Sequence, residues 1–349
     1  MPFRSQTWTV ALDGGTTNTR ARLLRGDQVV ATARRTVGVR DAVVSGNSRS
    51  LSLAEAVRAC LDEVCCGSGS GSNTIKPDQI VAAGMLSSEV GLATVPHVVA
   101  PASLDDLARA AVFVELSDIA DQPVLIVPGV RTPPGLGVDG WADADVMRGE
   151  ECETLGAWVK MTRDTPGWAS QAPVQALVWP GSHTKLVAVN ATGQILASYT
   201  TLAGEMLAAL SRHTLLAASL PSEWPDLPAA EPLAAGASAA ERYGLGRSAF
   251  LVRIAALTLA WEATDRAAFL MGAILADDVA HLARHPLLNP AVPIWVGGRQ
   301  PQRSLYADWL RAQHPGPVRT LDDSIAESAS ALGALTVAMR RVELGLNEP

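Results

Sequence analysis

The feature that most constrains this chain is a glycine turn set between two apolar strands, found near the start and again past the middle. Thr7-Trp8-Thr9-Val10-Ala11-Leu12 alternates apolar and polar side chains, stops at Asp13-Gly14-Gly15-Thr16-Thr17, and resumes as Arg20-Ala21-Arg22-Leu23-Leu24. A period of two on either side of Asp-Gly is the signature of a β-hairpin. The second occurrence is the apolar run 174–179, the turn Pro180-Gly181-Ser182-His183, and strands at 185–189 and 194–201. The duplication is architectural, because no fixed-period repeat accompanies it.

Around these turns the chain reads as α/β. Residues 28–37 add a third strand to an antiparallel meander, and Ser52 caps a helix over 53–66 with Leu53, Val57, Leu61 and Val64 at helical spacing. Gly67-Ser68-Gly69-Ser70-Gly71-Ser72 follows a helix rather than a strand and reads as a connector, not a nucleotide loop. Strands are expected at 80–83 and 124–127 with a helix over 104–116 between them, then a Gly/Pro-rich loop over 131–140 and a helix through 159. Residues 165–173 read as an interdomain passage. Residues 203–285 are mostly helical apart from a Pro-rich break at 220–232, and a strand at 292–296 runs into Gly297-Gly298 before another helix. A last helix over 324–344 carries small residues at 329–335, which suit a close helix crossing. At 349 residues the chain exceeds one ordinary core. Two α/β domains are expected, 1–170 and 171–320, with 321–349 as a helix packing near the domain interface.

Bulk properties narrow the partners. A net charge of -7 without clustered Lys or Arg argues against nucleic acid and leaves a small molecule. The longest apolar stretch, 249–261, is too short to cross a bilayer and contains Arg253, and the N-terminus lacks a signal peptide's apolar run. A cytoplasmic protein without a membrane partner is expected. Cys60, Cys65, Cys66 and Cys152 have neither zinc nor disulfide spacing, and His281 and His285 lack the Glu of His-Glu-x-x-His and a third ligand.

The turns fit phosphoryl transfer, which needs donors around phosphate oxygens, magnesium and a base near the acceptor hydroxyl. Gly14 and Gly15 let backbone approach a phosphate, Thr16 and Thr17 add hydroxyls, and Asp13 at a strand end can face a hydrated Mg2+. Gly181, Ser182, Thr184 and Lys185 offer the same chemistry with a cation. Taken alone, Asp-Gly is equally a polar hairpin turn, and Glu150 or Glu151 in a first helical turn reads first as a complement to the helix dipole. No G-x-x-x-x-G-K-[ST] and no protein-kinase signature is present.

The two strand-turn-strand units, the late strand-Gly-Gly-helix and the small-residue C-terminal helix together resemble the actin-like (ribonuclease H-like) ATPase superfamily, two α/β domains each with a mixed sheet and helices. Within it, Ala82-Ala83-Gly84-Met85, Val146-Met147-Arg148-Gly149-Glu150-Glu151, Trp179-Pro180-Gly181-Ser182-His183-Thr184-Lys185 and Leu202-Ala203-Gly204-Glu205 resemble the 2-dehydro-3-deoxygalactonokinase family over most of the chain. The resemblance implies transfer of the ATP γ-phosphate, with Mg2+, to the 6-hydroxyl of 2-dehydro-3-deoxygalactonate. It implies phosphate contacts from Gly14, Gly15, Thr16, Thr17, Gly181, Ser182, Thr184 and Lys185, with Gly297 and Gly298 on the nucleotide. Asp13 becomes the magnesium-side carboxylate and Glu150, then Glu151, the general base. Asn18, Arg20, Ser87, Ser88, Arg148 and His183 fall to the sugar acid, Arg20 and Arg148 being suited to its carboxylate. Where the family reads like Val-Ala-Gly-Thr-Ser, this chain has Val296-Gly297-Gly298-Arg299-Gln300, which exchanges hydroxyls for a cation. Hinge closure over the substrates is part of the expectation, and a homodimer follows from the commonness of twofold assemblies. A kinase for another sugar or 2-keto-3-deoxy sugar acid, and a non-catalytic nucleotide sensor, are the alternatives.

Overall fold

The computed structural model describes residues 7–39, 52–66, 74–136, 139–288 and 292–346, so the Gly/Ser connector at 67–72 lies outside the described residues. The chain divides into two compact units, one of residues 1–173, 189–198 and 323–349, the other of 174–188 and 199–322.

The first unit opens with β1 (Trp8–Gly14), β2 (Thr19–Arg25) and β3 (Gln28–Arg35), the antiparallel meander. Helix α1 (Leu53–Cys66) follows, started by a capping box in which Glu55 N–H donates to Ser52 Oγ at 3.2 Å and Ser52 N–H donates to the Glu55 carboxylate at 2.7 Å. Next come β4 (Gln79–Gly84), β5 (Val98–Val99), α2 (Leu104–Ala110), β6 (Val112–Val114), β7 (Val124–Ile126), β8 (Val130–Thr132), β9 (Asp145–Met147) and α3 (Glu150–Asp164). The main sheet has the order β3-β2-β1-β4-β7-β6, with β4 parallel to β1 and to β7. Val10, Leu12, Ala21 and Leu23 point to one face and pack on Val57, Cys60, Leu61 and Val64 of α1.

Two sequence expectations change. The helix expected over 104–116 stops at Ala110, because Val112-Phe113-Val114, β-branched and aromatic, pair antiparallel with β7 as an edge strand. The loop expected over 131–140 contributes its first residues to β8, which lies between β5 and β9 in a small three-stranded sheet.

The second unit opens with β10 (Val174–Trp179), β11 (Thr184–Asn190) and β12 (Ile195–Thr201); the tips of the last two, around residues 189–198, group with the first unit. The four-residue connection 180–183 can join only antiparallel neighbours, since a parallel pair needs a crossover. Helices α4 (Ala203–His213), α5 (Ala230–Tyr243), α6 (Leu245–Thr258) and α7 (Ala263–Leu282) precede β13 (Ile294–Val296), α8 (Gln302–Gln313) and β14 (Val318–Thr320). The sheet order is β12-β11-β10-β13-β14, with β13 parallel to both β10 and β14. Each unit thus has a three-strand meander whose first strand continues into parallel neighbours. The final helix, α9 (Asp323–Glu343), belongs to the first unit and crosses α3 closely. A Cβ on Gly333 would lie 1.9 Å from the Cys152 carbonyl oxygen, and one on Gly156 1.9 Å from that of Ala329. No helix among the described residues is long and apolar enough to cross a membrane.

Candidate active site

In the first unit the ends of β1, β4 and the start of α3 meet through three glycines. Gly14 and Gly84 are register partners, and a Cβ on Gly84, at φ 75°, would lie 2.5 Å from the Gly14 oxygen and 3.1 Å from Asp13 Oδ1. Gly149 precedes α3 at φ 111°, where a Cβ would sit 3.3 Å from Gly84 Cα. A Cβ on Gly14 would meet the Leu86 side chain at 2.5 Å, and side chains at Gly84 and Gly149 would push the strand ends and the start of α3 apart. The turn itself closes with Gly15 N–H donating to the Asn18 oxygen at 2.8 Å, and Gly38 lies against the peptide between Thr16 and Thr17, its Cβ position 2.4 Å from Thr17 N. Asn18 is already engaged: Arg34 donates to its Oδ1 at 3.0 and 2.8 Å, and its own Nδ2 donates to Thr17 Oγ1 at 2.8 Å.

A charged face surrounds this junction. Asp13 stands opposite Arg20, and Ala11 opposite Arg22, so by period two all three charges share the sheet face turned away from α1. Arg20 Nη1 lies 3.8 Å from Asp13 Oδ2, and Arg20 Nε and Arg22 Nη1 are buried with no hydrogen-bond partner. Glu153, one helical turn beyond Glu150, faces the same group. Burial and the neighbouring Glu150 and Asp13 push its carboxyl up to about 8, against the pull of Arg20 and Arg22. Glu153 and Arg22 were not expected as site residues; their spacings, i+3 from Glu150 and i+2 from Arg20, were the available signal.

Glu150 and Glu151 diverge. Glu151 is fully buried, and both its carboxylate oxygens accept the Gly149 N–H, at 2.9 and 2.8 Å. Burial and Glu150 raise its carboxyl to about 8, opposed by those backbone donors and Arg148. It turns back onto the helix start, whereas Glu150 stays partly exposed. Arg148 donates to Ser87 Oγ at 2.7 Å and to the Val95 carbonyl at 2.9 Å, with His97 Nδ1 3.4 Å away. Burial lowers its guanidinium, with Glu151 and Glu89 opposing. Ser87 is buried and also donates to the Gly84 carbonyl at 2.9 Å, and Ser88 to that of Met85 at 2.6 Å. The structure brings Ser87 and Arg148 together, but Ser87 braces the guanidinium rather than facing a ligand.

In the second unit the 180–183 turn is packed from two sides. A Cβ on Gly204, in the first turn of α4, would lie 2.1 Å from the Gly181 oxygen, and Glu205 N–H donates to the Ser182 oxygen at 2.8 Å. A Cβ on Gly297 would strike the Trp179 ring at 2.2 Å, and one on Gly298, at φ 79°, would approach the Pro180 oxygen at 2.8 Å. The 180–183 turn and the 297–298 turn are therefore in backbone contact, and Gly297 N–H donates to the Val178 carbonyl at 2.8 Å. Gly181 and Ser182 are exposed. Thr184 and Lys185 are not: the Thr184 hydroxyl lies 2.9 Å from the Tyr306 phenol, and Lys185 Nζ donates to Thr200 Oγ1 at 2.5 Å, both side chains being buried. Both were expected at a phosphate; the structure packs the Thr184 hydroxyl on Tyr306 and, on the other face of β11, Lys185 on Thr200. His183 Nε2 is 2.9 Å from Glu205 Oε2.

Two units that share a three-strand meander running into two further parallel strands, each with its first strand ending in a glycine turn, define a duplicated α/β fold of the actin-like class. The chain belongs to the 2-keto-3-deoxy-galactonokinase family, whose profile matches residues 13–334. It is 29% identical over 214 residues to the 2-dehydro-3-deoxygalactonokinase of Escherichia coli (strain K12), a match covering 61% of this chain and 60% of that relative, so under two thirds of the relative is spanned. A crystal structure from Sinorhizobium meliloti, itself only provisionally assigned as a 2-dehydro-3-deoxygalactonokinase, shares the fold with a TM-score of 0.70 at 22% identity, over 98% of each chain.

Proposed function

We propose that the protein transfers the γ-phosphoryl group of ATP to the 6-hydroxyl of 2-dehydro-3-deoxy-D-galactonate, giving 2-dehydro-3-deoxy-6-phosphogalactonate and ADP in the cytoplasm. The observation that carries this reading, beside family membership, is the Gly14–Gly84–Gly149 junction, which sets the start of α3 against Asp13 and its turn. Glu150 is the general base: as the acceptor oxygen bonds to the γ-phosphorus and the bridging oxygen leaves with ADP, its carboxylate takes the hydroxyl proton. Glu151, spent on Gly149, fixes the helix start instead. Arg20 and Arg148 meet the substrate carboxylate, Arg148 being pre-aimed by Ser87 and Val95.

Among the described residues no group of three His, Cys, Asp or Glu could hold a metal by itself. A single carboxylate at a strand end beside a glycine turn, Asp13, suits Mg2+, which keeps several waters and takes one or two carboxylates plus substrate phosphates. Asp13 would hold it, and the ion would neutralise phosphate charge. The Gly14 and Gly15 backbone with the Thr16 and Thr17 hydroxyls would supply neutral donors to phosphate oxygens; taken by itself, the second turn would do so through Gly181 and Ser182, with Gly297 and Gly298 bordering the nucleotide.

The test is ADP release by the full chain with ATP and Mg2+ over a panel of 2-keto-3-deoxy sugar acids, plain sugars and no acceptor. Turnover on 2-dehydro-3-deoxy-D-galactonate well above the others is expected. Turnover confined to plain sugars removes the substrate assignment, and nucleotide binding without turnover on any acceptor turns the reading to a sensor.

A further inference from the structure

Beneath the 180–183 turn lies a polar chain that the proposed reaction does not use. The Thr184 hydroxyl meets the Tyr306 phenol at 2.9 Å, and the phenol donates to Asp278 Oδ2 at 2.5 Å. The three residues are 0%, 1% and 7% exposed, and they come from β11, α8 and α7. The phenol's proton is directed at the carboxylate, and the Thr184 hydroxyl bears on both the phenol and the carboxylate, which closes the three into one cluster.

The surroundings are apolar, with Val178, Leu186, Ile274, Leu275 and Leu310 in the same core cluster. Burial raises the Asp278 carboxyl above its ordinary value, the cost of desolvating it. Hydrocarbon side chains would fill this volume without that cost, so stability alone does not account for the cluster. Its placement does. Thr184 is the first residue of β11, directly after the 180–183 turn, and α8, which carries Tyr306, begins just past Gly297-Gly298. The two turns touch through Gly298 and Pro180. One phenol therefore braces the segments that follow both turns.

We propose that Asp278 and Tyr306 are positioning residues that hold Thr184, and through it the Gly181 and Ser182 amides, in the geometry that receives a nucleotide phosphate. The proposal rests on the kinase reading above. It adds to the nucleotide site residues about a hundred positions beyond the 180–183 turn, and it gives the inward-turned Thr184 a task.

The experiment titrates the full chain with ATP and Mg2+ and measures KM for nucleotide and for acceptor, beside the melting temperature. Tyr306→Phe removes one oxygen and keeps the ring. It is expected to weaken nucleotide binding and raise nucleotide KM about tenfold, leaving acceptor KM unchanged. Thr184→Val should act in the same direction, while Thr184→Ser, which keeps the hydroxyl, should return nucleotide affinity to within about threefold of the parent. A lower melting temperature with unchanged nucleotide affinity would mean a merely structural cluster and overturn the proposal, as would an equal rise in both KM values. If Tyr306→Phe does not fold, the Thr184 pair carries the same comparison. A parent protein that binds no nucleotide removes the kinase reading and this proposal together; a parent that binds normally beside variants that do the same removes the proposal alone.

Discussion

The two glycine turns start from the same local logic, are both held by close backbone approaches, and differ in the chemistry that borders them. The first rests on backbone packed against backbone at Gly14, Gly84 and Gly149, and is bordered by Asp13, Arg20, Arg22, Glu150 and Glu153. The second is wedged by Gly204 and the Trp179 ring, and its inner edge runs into the neutral hydroxyl chain of Thr184 and Tyr306. Buried carboxyls crowd the first turn, whereas the second exposes amides, one hydroxyl and the His183–Glu205 pair. On the proposed reading the first turn adds proton handling to its phosphate donors, whereas the second only holds phosphate. Sharing a motif therefore does not mean sharing a task.

The sharpest way to break that division is Glu150→Gln. Loss of a general base should lower kcat by about 10²–10⁴ while nucleotide affinity stays put, read by ADP release and by titration. A loss of nucleotide affinity in place of kcat would move Glu150 to the phosphate side. A matched pair of glycine variants comes next. Gly84→Ala forces a side chain into φ 75° against the Gly14 oxygen, and Gly204→Ala drives one into the Gly181 oxygen. Each should cost about 1–3 kcal/mol of stability in urea unfolding. Gly84→Ala should fall mainly on kcat and acceptor KM, and Gly204→Ala mainly on nucleotide KM. Identical kinetic profiles for the two would erase the contrast.

A smaller effect concerns pH. Glu153 is held near about 8 in the fold, against about 4.3 for an unperturbed glutamate. The folded state therefore binds more protons than the unfolded one between those values, so the contribution to stability is full below the lower value and lost as pH rises through the upper one. Glu153→Gln removes this dependence. The variant should gain on the parent from pH 5 to pH 8, by about 2–4 °C in melting temperature at the alkaline end. A parent that gains on the variant instead would contradict the crowding of carboxyls at the first turn.

Much of this was legible in the sequence where local chemistry sets the structure. Alternation around Asp13-Gly14-Gly15 gave the hairpin, Ser52 with Glu55 the start of α1, and the small residues at 329–335 the close approach of α9 to α3. Strands of two or three residues, such as β5, β8 and β9, are too short for periodicity to show, and Val112-Phe113-Val114 was absorbed into a helix because its pairing with β7 is non-local. At the site, Thr184 was taken for a loop residue although period two from Leu186 already turned it inward. Tyr306 and Asp278 had no signal at all, since their role exists only once α7 and α8 pack on β11. Glu151 passed for a second base because a two-residue acidic pair does not say which carboxylate folds back onto Gly149.

The smallest expected effect tests whether the second turn works by its amides or by its hydroxyl. Ser182 is exposed and its carbonyl is held by the Glu205 N–H, so Ser182→Ala removes one neutral donor and leaves the backbone in place. A single neutral hydrogen bond in contact with water is worth about 0.5–1.5 kcal/mol, which sets a rise in nucleotide KM of about threefold. Thr184→Val deletes a hydroxyl that never meets solvent, yet its larger effect is expected because it loosens the support under the Gly181 and Ser182 amides together. If Ser182→Ala proves the more damaging of the two, the exposed hydroxyl is the phosphate ligand and the amides are bystanders. The second turn would then resemble the first in relying on its side chains, and the contrast between the units would narrow to charge alone.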